Sequence, residues 1–492
     1  MQSSRKVISN SVIYTISGLM LRCFSFFLLP LYTAYLTPAD YGITSIANSF
    51  ISTMSFIVAL STYSAISRFY IDYKKEPDKV KRIYGTISTF VLLFSILWGS
   101  VLFFFRDVLT RSVFQNIDFF PVVLLCLISL LFFCQHTVFS TVLVSEQRAL
   151  KSSVLNVIYF FVNLGLNVFF VVVLHKGAVG VISATLIANL LYTVYFYIDL
   201  LLHKSIIICI DFKLLKEILK YSIPLLPHNL SSSIAVLVSK VLIGDSSALS
   251  TVGIYSIASS FGDISDTVQG YINTAYVPWF FEQIHEKNDG YIQTIRNAVK
   301  ALCAITSFFF IGISLFSHDC ILVLLNKSYS EAWKFVPFIV GVYAIKTAYY
   351  FYVSILFYDK KASKMLFTAT LTGSVINVFL SYFIIPIWGV YGSIAADAIG
   401  MIIRTGIVII ISKRFNKEVL SYKPFAINFA VTLAFIILGI APAYVIGINH
   451  FSLLFFVYKV FVFTGFVVFI YYTNRETIKP NITALKRKLF KR

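Results

Sequence analysis

Charge is what this chain has least of. Only 13% of its 492 residues are Asp, Glu, Lys or Arg, roughly half the ~25% usual in a soluble domain. Long polar connections are missing too: apolar runs follow one another with loops no longer than the runs themselves, which leaves no room for a soluble catalytic domain. Cysteine is sparse and unpatterned, six residues with no C-x-x-C spacing, so they read as small buried hydrophobes. The sequence also has no phosphate-cradling glycine loop, no cluster with metal-ligand spacing and no nucleophile motif, and it calls for no cofactor.

What is present is hydrophobic. Apolar residues make up 58% of the chain and aromatics 17%. Fourteen apolar runs, from 9–35 to 451–472, are each long enough to cross a bilayer as a helix. The expected fold is an all-α polytopic integral membrane protein with about 14 transmembrane helices. The net charge of +19 does not point to nucleic acid, because of where it lies. With the N-terminus in the cytoplasm, fourteen spans return the C-terminus to the same side. The inner segments then hold 31 of the 41 Lys and Arg, the outer loops 5, and the spans the remaining 5. That asymmetry is the positive-inside pattern, and it predicts a multi-pass protein of the cell (cytoplasmic) membrane with both termini cytoplasmic. The first apolar run is too long for a cleaved signal and reads as an uncleaved first span.

The chain is also duplicated. Gly42-Ile-Thr-Ser-Ile-Ala-Asn-Ser-Phe50 recurs as Gly253-Ile-Tyr-Ser-Ile-Ala-Ser-Ser-Phe261, identical at seven of nine positions. Asn167-Val-Phe169 recurs as Asn377-Val-Phe379, and Gly177-Ala-Val-Gly180 as Gly389-Val-Tyr-Gly392, at nearly the same offset. Self-similarity of this kind sets the organisation before any element is assigned. It predicts an N-terminal lobe of spans 1–6 over residues 1–202, a linker at 203–221, and a C-terminal lobe of spans 7–12 over 222–415. Spans 13 and 14 (416–473) and a basic cytoplasmic tail (474–492) fall outside the repeat. Six spans per copy make the repeats parallel, with a cavity shared between lobes. In the linker, Asp211 reads as an N-cap and Phe212, Leu215 and Leu219 as the apolar face of a helix on the inner leaflet. The tail reads as resting on anionic membrane lipid.

A charge inside a span costs about 2.5–3.5 kcal/mol on insertion scales, so such residues mark a wet or protein-lined interior. Arg22 shares a face with Ser11, Thr15, Gly18 and Ser25. Lys240 opens the second copy as Arg22 opens the first, and Lys346 and Arg404 follow. Arg68 stands at the inner membrane edge, as a solvated anchor or a first contact for a headgroup. Several cations facing one cavity suit an anionic substrate, and arginine's planar fork suits phosphate oxygens. The acids Asp263, Asp266 and Asp397 have two readings. They neutralise these cations, holding helices together, or they take up the H+ or Na+ that drives transport. Lys459, outside the repeat, reads as snorkelling or structural. His136 and His228 read as satisfied core residues, and Pro38, Asp40 and Gly42 as a tight turn.

These residues resemble a family. Leu29-Pro-Leu-Tyr-Thr-Ala-Tyr-Leu-Thr-Pro-Ala-Asp-Tyr-Gly42 resembles the first loop of the polysaccharide (Wzx-type, lipid-linked oligosaccharide) flippases of the MOP exporter superfamily. Arg68-Phe-Tyr70, Tyr221-Ser-Ile-Pro-Leu-Leu-Pro-His228 and Val252-Gly-Ile-Tyr-Ser-Ile-Ala258 are similar to its other signatures. The resemblance implies a MATE-like pair of lobes. It also implies translocation of an undecaprenyl-diphosphate-linked glycan from inner to outer leaflet, by alternating access, for capsule, O-antigen or exopolysaccharide synthesis. The pathway's polymerase and chain-length proteins are the partners it implies. Relatives often place an Asp-Arg pair in span 7, where this chain has Ser239 and Lys240. Three other readings compete: a lipid II flippase of the same superfamily, a cation-coupled multidrug antiporter, and a membrane polysaccharide polymerase. The last would need a large outer loop for its chemistry, and the longest here, 317–333, is short. The chain is therefore expected to be a transporter and not an enzyme.

Overall fold

The computed structural model describes residues 2–358, 365–416 and 419–473; the predicted basic tail lies outside the described residues. Within them the chain is helical almost throughout, with no strand. Among the described residues, twelve helices are long and apolar enough to cross a membrane, and large hydrophobics such as Phe104, Ile387 and Leu454 are more than three-quarters exposed. Apolar surface on that scale needs lipid around it. The chain is a multi-pass membrane protein.

By its internal contacts the chain forms two compact units, Met1–Gly253 and Ile254–Arg492. In the first, α1 (Gln2–Phe27) and α2 (Leu29–Tyr35) lead into α3 (Pro38–Val58). The start of α3 explains the motif Thr37-Pro-Ala-Asp40. Thr37 Oγ1 accepts from the Asp40 amide at 3.1 Å while Asp40 Oδ2 accepts from the Thr37 amide at 3.2 Å, a capping box with Pro38 at the first helical position. Asp40 Oδ1 also accepts from the Ala178 amide at 3.1 Å. One carboxylate thus caps two helices, and the expected tight turn is a double cap.

Next come α4 (Thr62–Tyr73), α5 (Pro77–Phe104), the short α6 (Arg106–Ser112), α7 (Leu124–Ser145), α8 (Ala149–Asn167) and α9 (Gly177–Leu202). The linker helix α10 spans Phe212–Ser222, and Asp211 caps it by accepting from the amides of Lys213 and Leu214 at 3.0 Å. Its buried face is Leu214, Leu215 and Ile218, with Phe212 exposed. The expected face is therefore rotated, because α10 packs on α4 and α5 of the protein. α11 (Leu226–Ser246), the seventh span, lies along α3 in the same unit. Thr53 Oγ1 donates to the Ser233 carbonyl at 3.1 Å, and Asn229 Nδ2 donates to Ser61 Oγ at 3.2 Å. The polar stripe of α11 finds its partners there.

α12 (Leu249–Glu286) starts against the first turn of α3. A Cβ placed on Gly42 would lie 2.0 Å from the Leu249 carbonyl oxygen, and one on Gly253 would lie 1.9 Å from that of Pro38. The first glycines of the two repeated nonapeptides thus press against each other's preceding turn. No side chain fits at either position.

The second unit continues through α13 (Tyr291–Leu324), α14 (Val336–Tyr358), α15 (Leu366–Phe415), α16 (Lys423–Ile446) and α17 (Leu453–Thr473). Straight, the 50 residues of α15 would run about 75 Å, more than twice the ~30 Å of a hydrocarbon core. α15 instead doubles back at Gly389, where φ is 54° and ψ −129°, a conformation that suits glycine. Asn377 Nδ2 donates to Asp397 Oδ1 at 2.6 Å, and Arg404 Nη2 to Ser374 Oγ at 2.7 Å, so its arms run antiparallel. α12 is too polar to count among the twelve apolar helices. Dividing α15 and adding α12 gives the fourteen membrane-length segments read from the sequence. A core of Tyr276, Phe280, Val299, Phe351, Tyr352 and Val408 ties α12, α13, α14 and α15 together.

One sequence expectation changes in this unit, and of the two roles read for Lys459 the structural one fits. The ninth span, expected at 298–316, stays helical to Leu324, so the supposed outer loop begins inside the protein. Lys459 does not snorkel. It is fully buried, with Nζ 2.5 Å from Asp319 Oδ2 and 3.3 Å from His318 Nδ1. α17 is therefore pinned to α13 by a buried charge pair, with Lys459 over the Phe455 ring and the ring of Trp333 against His318.

Two predictions concern stability. Gly42→Ala and Gly253→Ala each force a methyl into backbone and should lower the thermal midpoint of the purified protein in micelles, at a cost of about 1–3 kcal/mol. Gly99→Ala, where nothing lies within 4 Å, is the control and should not lower it. Lys459→Met leaves Asp319 buried and uncompensated, which costs about 3–5 kcal/mol. The double variant with Asp319→Leu should recover most of that loss in the same measurement.

Candidate functional site

Each charge expected inside a span has a definite place in the fold. In the first unit, Arg22 is exposed on α1 and makes no ion pair among the described residues. Lys240, on α11, donates from Nζ to Ser49 Oγ of α3 at 2.9 Å. Arg68, near the end of α4, is largely exposed and meets Asp72 one turn on, Nε to Oδ2 at 3.2 Å. That is a surface i,i+4 pair of small energetic weight. His136 is satisfied as expected, its Nδ1 2.7 Å from Asn189 Oδ1 among the rings of Tyr159 and Tyr192.

In the second unit, α12 and α14 meet through polar groups. Asp266 Oδ1 accepts from Lys346 Nζ at 2.6 Å and from the Tyr350 hydroxyl at 3.2 Å. One turn earlier, Asp263 Oδ1 accepts from the Tyr343 hydroxyl at 2.9 Å. Gln269 Nε2 donates to Thr347 Oγ1 at 2.7 Å a turn further along. Lys346 and Asp266 thus form an ion pair between α12 and α14.

The hairpin α15 carries Asp397 and Arg404 on its returning arm. The sequence places them on one face, two turns apart, and no ion pair joins them. A spacing of seven residues is about 10.5 Å of helix rise, and the two charges act on each other without forming a contact pair. Each reaches across to the other arm: Asp397 to Asn377, Arg404 to Ser374. Only one guanidinium nitrogen of Arg404 is so engaged, and its buried Nε has no partner among the described residues. A planar fork held by one hydroxyl, with donors left over, is suited to bind a phosphate or carboxylate in two-pronged fashion.

Several participants carry no distinct sequence signal. Ser374 and Asn377 become visible only once Gly389 is known to reverse the chain. Tyr343, Lys346 and Tyr350 are spaced for one helical face, a signal available in the sequence but diluted among 30 tyrosines.

The arrangement can be set beside known proteins. A family model described as polysaccharide biosynthesis protein matches residues 7–284. Among solved structures, the lipid II flippase MurJ in an inward closed conformation superimposes with a TM-score of 0.67. It is 16% identical, covering 94% of this chain and 99% of that one. The inward-facing conformation of a multidrug resistance MATE family transporter of the MOP superfamily gives 0.60 at 16% identity, over 81% and 97%. The MATE multidrug transporter DinF-BH gives 0.57 at 18% identity, over 84% and 96%. No curated protein matches the sequence. These structures share the fold, and the family model covers more than half of the chain: it belongs to the polysaccharide biosynthesis protein family, as a membrane protein with the fold of the MOP superfamily transporters.

Proposed function

We propose that this protein is a flippase that moves an undecaprenyl-diphosphate-linked oligosaccharide repeat unit from the inner to the outer leaflet of the cytoplasmic membrane. The transported unit feeds capsule, O-antigen or exopolysaccharide synthesis and is handed to a polymerase. The observation that carries this reading is that, among the described residues, Arg22 and Arg404 have no carboxylate partner while Lys346 and Lys459 do. Cations kept in a membrane protein without a contact ion pair are expensive, and a phosphate-bearing substrate supplies one. The 31-to-5 distribution of Lys and Arg supports cytoplasmic termini, with the basic flank where the cargo is made.

Transport proceeds in this reading by alternating access of two six-helix lobes, 1–202 and 222–415. Lys240 adds to the cationic path, and Arg68 greets the headgroup at the inner edge. Asp397, bonded to Asn377 across the hairpin, is the carboxylate assigned to H+ or Na+ coupling. Asp263, exposed on α12, is the alternative.

Arg22→Ala and Arg404→Ala should each lower export about 10- to 100-fold, the weight of one or two hydrogen bonds to a charged group, with membrane insertion unchanged. Arg404→Lys should retain part of the activity. The leaflet distribution of diphosphate-linked oligosaccharide after depletion of the protein tests the reading itself. Accumulation on the cytoplasmic face with normal wall synthesis is expected. Normal flipping with unpolymerised units outside would point to a polymerase, loss of wall synthesis to lipid II, and no change in either leaflet to drug export.

A further inference from the structure

Ser374 tethers one nitrogen of Arg404 but does not account for how so long a side chain lies against the opposite arm of α15. Gly373, the residue before that serine, does. A Cβ placed on Gly373 would lie 2.9 Å from Arg404 Cβ and 3.1 Å from Arg404 Nε. The arginine stem therefore passes over the space that any other residue would fill. The same methyl would stand 3.0 Å from the Gly400 carbonyl oxygen, and one on Gly400 would stand 2.9 Å from that of Gly373. The backbones of the two arms meet at this level, and Arg404 follows one turn later on the returning arm.

Close backbone approach by itself is ordinary helix packing in a membrane, where small residues line the contact. The arginine sets Gly373 apart from a packing glycine. Arg404 Nε is buried beside it with no partner among the described residues, while Nη2 donates to Ser374 Oγ at 2.7 Å. Asp397 and Tyr349 act on the arginine's charge without a hydrogen bond to it among the described residues. A guanidinium can grip two oxygens of one phosphate across Nε and one Nη, or across its two Nη atoms. Gly373 closes the first edge. The donors left over belong to Nη1 and the second hydrogen of Nη2.

We propose that Gly373 and Ser374 are positioning residues of the phosphate site. The glycine seats the Arg404 stem, the serine fixes the rotation of the fork, and together they present its Nη1–Nη2 edge to one phosphate of the cargo. This assignment rests on the flippase reading and deepens it by naming the edge offered and what holds it. A methyl at 373 pushes the stem off the arm, and a misplacement of about 1 Å can cost as much as about 100-fold.

The test measures binding of a polyprenyl diphosphate carrying no sugar to the full-length protein in nanodiscs. Gly373→Ala and Ser374→Ala should each weaken it about tenfold. Ser374→Thr keeps the hydroxyl and should retain most of the affinity. Gly406→Ala, where nothing lies within 4 Å, should leave it unchanged. The deciding variants combine Gly373→Ala or Ser374→Ala with Arg404→Ala. Residues that act only through the arginine add nothing once it is gone, so each double variant should bind as Arg404→Ala does, within about twofold. Losses that multiply in the double variants, or normal binding by Gly373→Ala and Ser374→Ala, would overturn the positioning role and leave the flippase reading standing. Should Gly373→Ala fail to fold, Ser374→Ala and its double variant decide by the same criterion. If the unaltered protein does not bind the lipid, or Arg404→Ala binds it equally well, the phosphate site falls and the positioning role with it.

Discussion

A charge inside hydrocarbon has no water to turn to, and the placement of polar groups in this protein follows from that. Each such group either meets an answering group on another helix or stands where something other than lipid must reach it. Asp319 with Lys459 and Asp266 with Lys346 are the first kind. They join helices whose apolar faces alone would give weak specificity, since lipid tails are as apolar as the side chains they would exchange for. Arg22 and Arg404 are the second kind, and the proposed phosphate chemistry is assigned to them.

The hairpin α15 shows how local backbone chemistry builds a site. Gly389 reverses the chain, bringing Ser374 opposite Arg404 and Asn377 opposite Asp397. The cation and the carboxylate stand two turns apart on one rigid arm, and each is held by a partner on the other arm instead of by a loop. A preorganised arginine with donors to spare costs little to orient when an anion arrives.

Much of this is legible in one dimension. Run length locates the spans, the lysine and arginine asymmetry constrains their number, and Thr37-Pro-Ala-Asp40 announces a helix start. Pairing between helices is not legible. Asp319 and Lys459 are 140 residues apart and share no pattern, and Asp319 reads as part of a loop because the apolar run before it stops near residue 316. The helix continues because Lys459 and the surrounding aromatics replace water for the residues beyond that point. The face of α10 departs from expectation for a related reason: periodicity identifies an apolar stripe, but α4 and α5 decide which edge of the stripe is covered. Tyrosine is ambiguous by nature, an apolar ring with a polar tip, and only the positions of Asp263 and Asp266 show which role Tyr343 and Tyr350 play.

The crossing of α3 and α12 has a consequence for the sequence itself. The space left by the missing side chain at Gly42 is filled by the turn before Gly253, and the space at Gly253 by the turn before Gly42. Neither stretch can drift without disturbing the other, so the two are held to a common form by touching. The nonapeptide in which the duplication is still plainly readable is also the place where its two copies lie in contact.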